Sequence, residues 1–163
     1  MSRQAAIPRE SALDRRNEKE IATAIVGEWM MEFQKIPLKY SLDYALTRAG
    51  LVVGYLEVKN RPNWKGYDSY MLSLYKFNRA LELSAASGRN CYFAARLGGD
   101  IMWTCLNELP ESVRENVQIG GWANPRDDDD IEPVIHIPIS YFRALEGSGG
   151  KALPSINSRE QAA

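Results

Sequence analysis

The sequence predicts a mixed α/β domain in which a central mixed β-sheet is flanked by helices. Two stretches carry apolar residues at helical spacing, one before residue 34 and one between residues 70 and 87. Between them lie two β-rich stretches joined around Ala49-Gly50, the second of which, LVVGYLEVKN, is apolar on both faces as far as Glu57. That pattern suits a strand whose middle is buried on both sides. Further short strand signals follow the second helix, so helices and strands alternate along one chain. With 163 residues, 45% of them hydrophobic and 25% charged, the chain has room for one folded domain and its core.

Residues 1–14 mix polar residues and Pro without a period and read as a flexible lead-in. Asn17 caps a first helix predicted to reach Gln34, with Ile21, Ala24, Ile25, Trp29 and Phe33 on one side and Glu18 and Glu20 in the first turn. Pro37 closes it. Strands are expected over 40–48 and 51–60, then a loop containing Pro62, Asn63 and Gly66. Asp68 or Ser69 caps a second helix over 70–87, with Leu74, Phe77, Leu81 and Ala85 aligned and Gly88 just past its end. A hairpin of 91–97 and 101–106 turns at Gly98-Gly99-Asp100. A short helix over 111–115, strands over 117–122 and 133–139, and a last short helix from Ser140 to Leu145 complete the domain, 15–146. Residues 147–163 read as a flexible tail.

The small counts exclude several chemistries. A single histidine, His136, rules out a multi-histidine metal site or a pair of catalytic imidazoles. Two cysteines, Cys91 and Cys105, rule out a four-thiolate site, and both sit in apolar stretches where Cys acts as a small hydrophobe. No apolar run reaches the 18 or so residues of a membrane span, and the N-terminus lacks the apolar region of a secretory signal. A reducing cytoplasm is the expected setting.

The informative residues are Asp43, Glu57 and Lys59. Side chains alternate along a strand, so Glu57 and Lys59 share a face while Val58 points into the other layer. Charges at the end of an otherwise apolar strand are costly unless solvated or used. Asp43 lies on the preceding strand and faces Glu57 only if paired residue numbers sum to 100, which centres the loop on Gly50. A two-residue loop at Ala49-Gly50 sums to 99 and sends the two carboxylates to opposite faces. Both registers are open to the sequence, and a metal site needs the first. Two facing carboxylates suit Mg²⁺ or Mn²⁺, which complete their octahedron with water and a substrate phosphate. Such an ion activates water and neutralises phosphate charge, and a neighbouring lysine stabilises the charge that develops.

At these residues the chain resembles the PD-(D/E)XK nuclease superfamily. The resemblance rests on Asp43 in SLDYAL and Glu57-Val58-Lys59 in YLEVKN, with a Glu-bearing helix before and an amphipathic helix after, over residues 17–106. Leu42 stands where the superfamily usually has Pro. The helix start NEKEIATAIV is similar to the resolvase-like pattern, which maps the helix carboxylate onto Glu18, with Glu20 as second choice. The second helix offers Lys76. The resemblance implies a restriction-endonuclease-like core of αβββαβ-type order and metal-dependent phosphodiester hydrolysis. Asp43 and Glu57 would hold the metal, Lys59 would assist the water, and Glu18 and Lys76 would support them. The small size suits a phage or mobile-element genome.

Charge is segregated along the chain. Residues 35–97 hold ten basic and four acidic residues, a balance of +6, against −7 elsewhere and −1 in total. Within that segment the loop RPNWKGY sets Trp64 and Tyr67 among Arg61 and Lys65, a mix suited to stacking and phosphate contact, and Arg79 follows on the second helix. Trp64 folded back on the core is the competing reading. The run Asp127 to Asp130 reads as a solvated loop, His136 as a satisfied strand histidine, and Trp29, Trp103 and Trp122 as core or interface aromatics. The expected partner is nucleic acid, DNA ahead of RNA. The alternatives are a catalytically silent nucleic-acid-binding or assembly module on the same fold, or a junction-resolving endonuclease, which would need a homodimer.

Overall fold

Ser11 begins the first helix, and the reason is local. Its side chain accepts from the Asp14 N–H at 3.0 Å while the Asp14 carboxylate accepts from the Ser11 N–H at 3.2 Å, a reciprocal cap that starts α1 (Ala12–Trp29). The structure, a computed structural model, describes residues 11–121 and 131–145. The expected start at Asn17 is therefore too late, and Glu18 and Glu20 lie beyond the first turn. The expected end at Gln34 is also wrong. Met30 adopts a left-handed conformation (φ 52°) and its N–H closes on the Val26 carbonyl, ending the helix. The chain then enters β1 (Glu32–Lys35), paired antiparallel with β2 (Tyr44–Arg48). Phe33 prefers this strand because its ring meets Tyr44 edge-on at 5.2 Å, a tertiary contact that outweighs helical periodicity. Residues 38–40 form a short 3₁₀ turn, so the strand expected from Tyr40 begins only at Tyr44.

Strand β3 (Leu51–Arg61) is central, antiparallel to β2 and parallel to β5 (Asn90–Leu97), as its two-sided apolar pattern requires. β6 (Asp100–Cys105) pairs with β5 across the expected Gly98-Gly99 turn, and a short β9 (Arg143–Ala144) completes a six-stranded sheet in the order β1-β2-β3-β5-β6-β9. That two-residue strand replaces the last helix expected from Ser140; only a 3₁₀ turn at Ile139–Tyr141 precedes it.

The connection between the parallel strands contains a strand and a helix. Residues Ser69–Ser73 form β4, not the first turn of the second helix, and α2 runs Leu74–Ser87 with Gly88 left-handed (φ 68°) at its end. β4 is extended because it pairs with β8 (Ile131–Pro138), which in turn pairs with β7 (Val117–Gly121) after the short helix α3 (Glu111–Arg114). β7 and β8 answer to the strands expected over 117–122 and 133–139, but β4 and the joining of all three into a second sheet of order β4-β8-β7 were not expected. The expected tail 147–163, Trp122 and the Asp127 to Asp130 run lie outside the described residues.

Two cores cover the faces of the large sheet. Ile21, Ile25 and Trp29 of α1 pack on Tyr44, Leu46, Leu56, Val58, Tyr92 and Trp103. On the other face Phe77 and Ala80 of α2, with Tyr70, Leu72, Ile135 and Ile137 of the small sheet, pack on Cys91, Phe93 and Ala95. Ala24 and Ala85, expected on the apolar faces, are exposed. Both cysteines are free and buried, and burial pushes each thiol up to about 12, so they behave as the small hydrophobes expected. Among the described residues no helix is long and apolar enough to cross a membrane.

Gly54 is closely packed within β3. A Cβ there would meet the Asn90 carbonyl oxygen and the Tyr92 ring, each at 3.2 Å. Gly54→Val is expected to lower stability by about 1–3 kcal/mol through this overpacking, read as a reduced urea midpoint with an unchanged slope.

Candidate active site

The β2–β3 hairpin decides whether the carboxylates meet. Ala49 (φ 50°) and Gly50 (φ 77°) are both left-handed, the geometry of a two-residue turn matched to strand twist. Next to the turn the pairs Arg48–Leu51 and Thr47–Val52 sum to 99, the register that would part Asp43 from Glu57. A β-bulge then intervenes, and Leu46–Gly54, Ala45–Tyr55 and Tyr44–Leu56 sum to 100. The extra residue at the bulge shifts every side chain beyond it by one position. Each register expected from the sequence thus occurs in one part of the hairpin, and the one that sums to 100 lies next to Asp43 and Glu57.

Asp43 lies one residue before β2 and clasps β3 on both sides of Glu57. Its N–H donates to the Leu56 carbonyl at 3.1 Å, and its Oδ2 accepts from the Val58 N–H at 2.8 Å. Its Oδ1 faces the Lys35 ammonium at 3.3 Å. Leu56 and Val58 point into the α1 layer, so Glu57 and Lys59 point together toward α2, as alternation requires.

Glu57 is 1% exposed and sits between two lysines. Lys59 approaches Oε1 at 3.0 Å, and Lys76 from α2 approaches Oε2 at 3.2 Å while donating to the Ser41 carbonyl at 2.7 Å. Burial raises the pKa of Glu57, the Asp43 carboxylate adds to the rise, and Lys59 and Lys76 oppose it. Burial acts against the Lys59 charge, but the adjacent Glu57 and Asp43 carboxylates, with the field of Glu18, raise its pKa. Two carboxylates and three ammonium groups therefore gather around this part of β3, Lys59 and Lys76 at Glu57 and Lys35 at Asp43 from the strand beside Tyr44, and the negative pair is neutralised from three sides.

Glu18 is buried on α1 while Glu20 is exposed and pairs with Arg96 at 3.6 Å, so of the two candidates Glu18 is the one turned inward. Among the described residues no three His, Cys, Asp or Glu side chains are grouped closely enough to hold a metal by themselves. The donor set fits a hard divalent ion that takes two carboxylates and keeps its waters. It does not fit zinc, which wants a tetrahedral nitrogen or sulfur shell.

The basic residues divide. Arg61 and Lys65 are exposed at the end of β3 and in the loop that follows. Trp64 is partly buried and stacks on Tyr70 at 5.9 Å, so it is folded back toward the core, while Tyr67 is exposed and meets Trp64 edge-on. Arg79 is held in an ion pair with Glu82 at 2.7 Å on α2. His136 is a strand residue whose Nδ1 meets Ser69 Oγ at 3.3 Å, remote in role from the carboxylates. Sequence reading missed Lys35 as a member of the site because it placed the preceding residues in a helix. It also missed Ser41, whose contribution is a backbone carbonyl with no side-chain signature.

The family described as "Phage putative PDDEXK endonuclease" matches residues 4–145. The chain belongs to that family. Asp43 and Glu57-Val58-Lys59, the residues that carry the resemblance to PD-(D/E)XK nucleases, lie together in one cluster. No curated protein sequence matches the chain. Among solved structures, that of Archaeoglobus fulgidus Hjc, a Holliday junction resolvase from an archaeal hyperthermophile, is similar with a TM-score of 0.46 at 13% identity. The similarity covers 77% of this chain and 86% of that one.

Lys76 bridges the Ser41 carbonyl and a carboxylate that is almost wholly removed from water. Lys76→Met is expected to cost about 1–3 kcal/mol, because Glu57 then keeps only one cationic partner, and the loss is measurable by urea unfolding without added metal.

Proposed function

We infer that the protein is a metal-dependent nuclease that hydrolyses phosphodiester bonds in nucleic acid, with DNA the favoured substrate. The observation that carries this reading is the joining of Asp43 and Glu57, both buried, under three lysines at the end of a central strand. Asp43 Oδ1 and Glu57 are the groups that would hold Mg²⁺ or Mn²⁺. Such an ion supplies water activation and charge neutralisation at the phosphate.

The chain's own residues then have distinct tasks. Lys59, already 3.0 Å from Glu57, is placed to orient the attacking water and to stabilise charge developing on the phosphate. Lys76 fixes the Glu57 carboxylate from α2 and ties it to the Ser41 carbonyl. Glu18 acts from outside the ligand pair, through the field it exerts on Lys59. Arg61 and Lys65 present exposed positive charge beside the site, suited to a phosphate backbone, and Tyr67 offers an exposed ring for stacking. Trp64 and Arg79 would first have to leave Tyr70 and Glu82, which makes them secondary contacts.

Plasmid, linear and branched DNA, and RNA, incubated with Mg²⁺, Mn²⁺ or EDTA, test the reading directly. Cleavage is expected with either metal and none with EDTA, and Glu57→Ala and Lys59→Ala should each reduce the rate by about 100-fold or more. A wild type that binds nucleic acid but cuts nothing with either metal would establish the silent binding module instead. In the same preparation, replacing Arg61 and Lys65 together by Ala should weaken binding similarly for all sequences. It should also reduce the slope of log affinity against log salt by about 2, measured by fluorescence anisotropy.

A further inference from the structure

Lys35 is absent from the PDDEXK motif, yet it occupies the one oxygen of Asp43 that is turned away from the backbone. Oδ2 is held by the Val58 N–H at 2.8 Å, whereas Oδ1 faces Lys35 Nζ at 3.3 Å. The two Glu57 oxygens are likewise covered, by Lys59 and Lys76. Every carboxylate oxygen on which a divalent ion could land therefore already faces an ammonium group or a backbone amide.

The three lysines are not equally replaceable. Lys59 is on the same strand as Glu57 and two residues away, and Lys76 is anchored to the Ser41 carbonyl at 2.7 Å. Lys35 belongs to the edge strand β1 and has the most exposed side chain of the three, at 40% against 29% and 31%. Its ammonium also lies 5.0 Å from the centre of the Tyr44 ring, an alternative perch for a cation. A divalent ion on Oδ1 and an ammonium at 3.3 Å from the same atom repel each other, and the group that moves most cheaply is the exposed one.

We propose that Lys35 is a positioning residue that stands in for the metal on Asp43 and is released by it, whereupon its ammonium turns to the phosphate of the nucleic acid. Metal and nucleic acid then favour the same displaced state of Lys35, so each strengthens binding of the other. The inference rests on the metal-site reading above and adds to it a coupling device outside the motif.

Isothermal titration with Mn²⁺, without nucleic acid, tests the first half. Lys35→Met keeps the aliphatic stem and removes the competing charge, and it is expected to bind Mn²⁺ about fivefold more tightly than wild type, as for a partly exposed ion pair. Lys35→Arg should restore wild-type affinity, and Asp43→Asn should bind much more weakly than wild type. The second half is read by fluorescence anisotropy on a hydrolysis-resistant phosphorothioate duplex. Mn²⁺ should raise duplex affinity in the wild type, and in Lys35→Met the increase should shrink severalfold. Lys35→Gln serves as a second uncharged variant should the Met variant misfold. If the wild type binds Mn²⁺ and a folded, uncharged variant binds it equally or less tightly, the role of Lys35 is overturned while the metal site stands. Undiminished coupling in that variant also overturns it. If the wild type binds no Mn²⁺, the metal-site reading falls and this inference with it.

Discussion

A carboxylate in the middle of a packed sheet cannot stand alone, and the arrangement around Glu57 follows from that constraint. At 1% exposure the Glu57 side chain has lost its hydration, and the Asp43 carboxylate beside it adds repulsion. Positive charge must therefore come from several directions. Lys59 provides it from the same strand, Lys76 from the helix that crosses above, and Lys35 from the edge of the sheet by way of Asp43. Pairs of this kind rarely add much net stability, because desolvation consumes most of the Coulombic gain. Their persistence in a core is more readily understood as a chemical requirement than as a structural one.

The rest of the fold keeps that cluster in place. α1 seals the far face through Ile21, Ile25 and Trp29, so that β3 is supported from behind at Leu56 and Val58, the residues flanking Glu57. On the near face, the small sheet and α2 close over Cys91, Phe93 and Ala95 while leaving the Glu57–Lys59 end open to Lys76. β4 matters here: by pairing with β8 it sets where α2 begins, and Lys76 is in the first turn of that helix. The hairpin bulge performs the matching task in the large sheet, converting a two-residue turn into a register that sets Asp43 beside Glu57.

The electrostatic picture has two scales. Locally, ammonium groups outnumber the two motif carboxylates, so an approaching phosphate meets positive charge rather than the acidic pair. More broadly, the segment 35–97 carries +6 in a chain whose total is −1, and Arg61 and Lys65 extend this charge into an exposed loop beside the site. The near-neutral total hides a division of labour along the chain.

Features that depend on neighbours in the chain were legible in the sequence. The amphipathic helices, the two-sided burial of β3, the Gly98-Gly99 hairpin, the Gly88 helix stop and the common face of Glu57 and Lys59 all follow from local periodicity and turn chemistry. The Ser11–Asp14 cap was also readable as a Ser-x-x-acid pattern, and overlooking it moved the start of α1. Other features were decided by contacts between distant residues. Phe33 joins a strand because Tyr44 is there, and Ser69–Ser73 is extended because residues 134–138 pair with it. The bulge between the Thr47 and Leu46 pairs joins the two registers that the sequence left open. Sequence alone determined which charged groups the protein carries and which strand displays them, since side-chain alternation is a local property. Tertiary structure alone decided that Asp43, Lys35 and Lys76 converge on that display, since register and packing are set by partners far away in the chain.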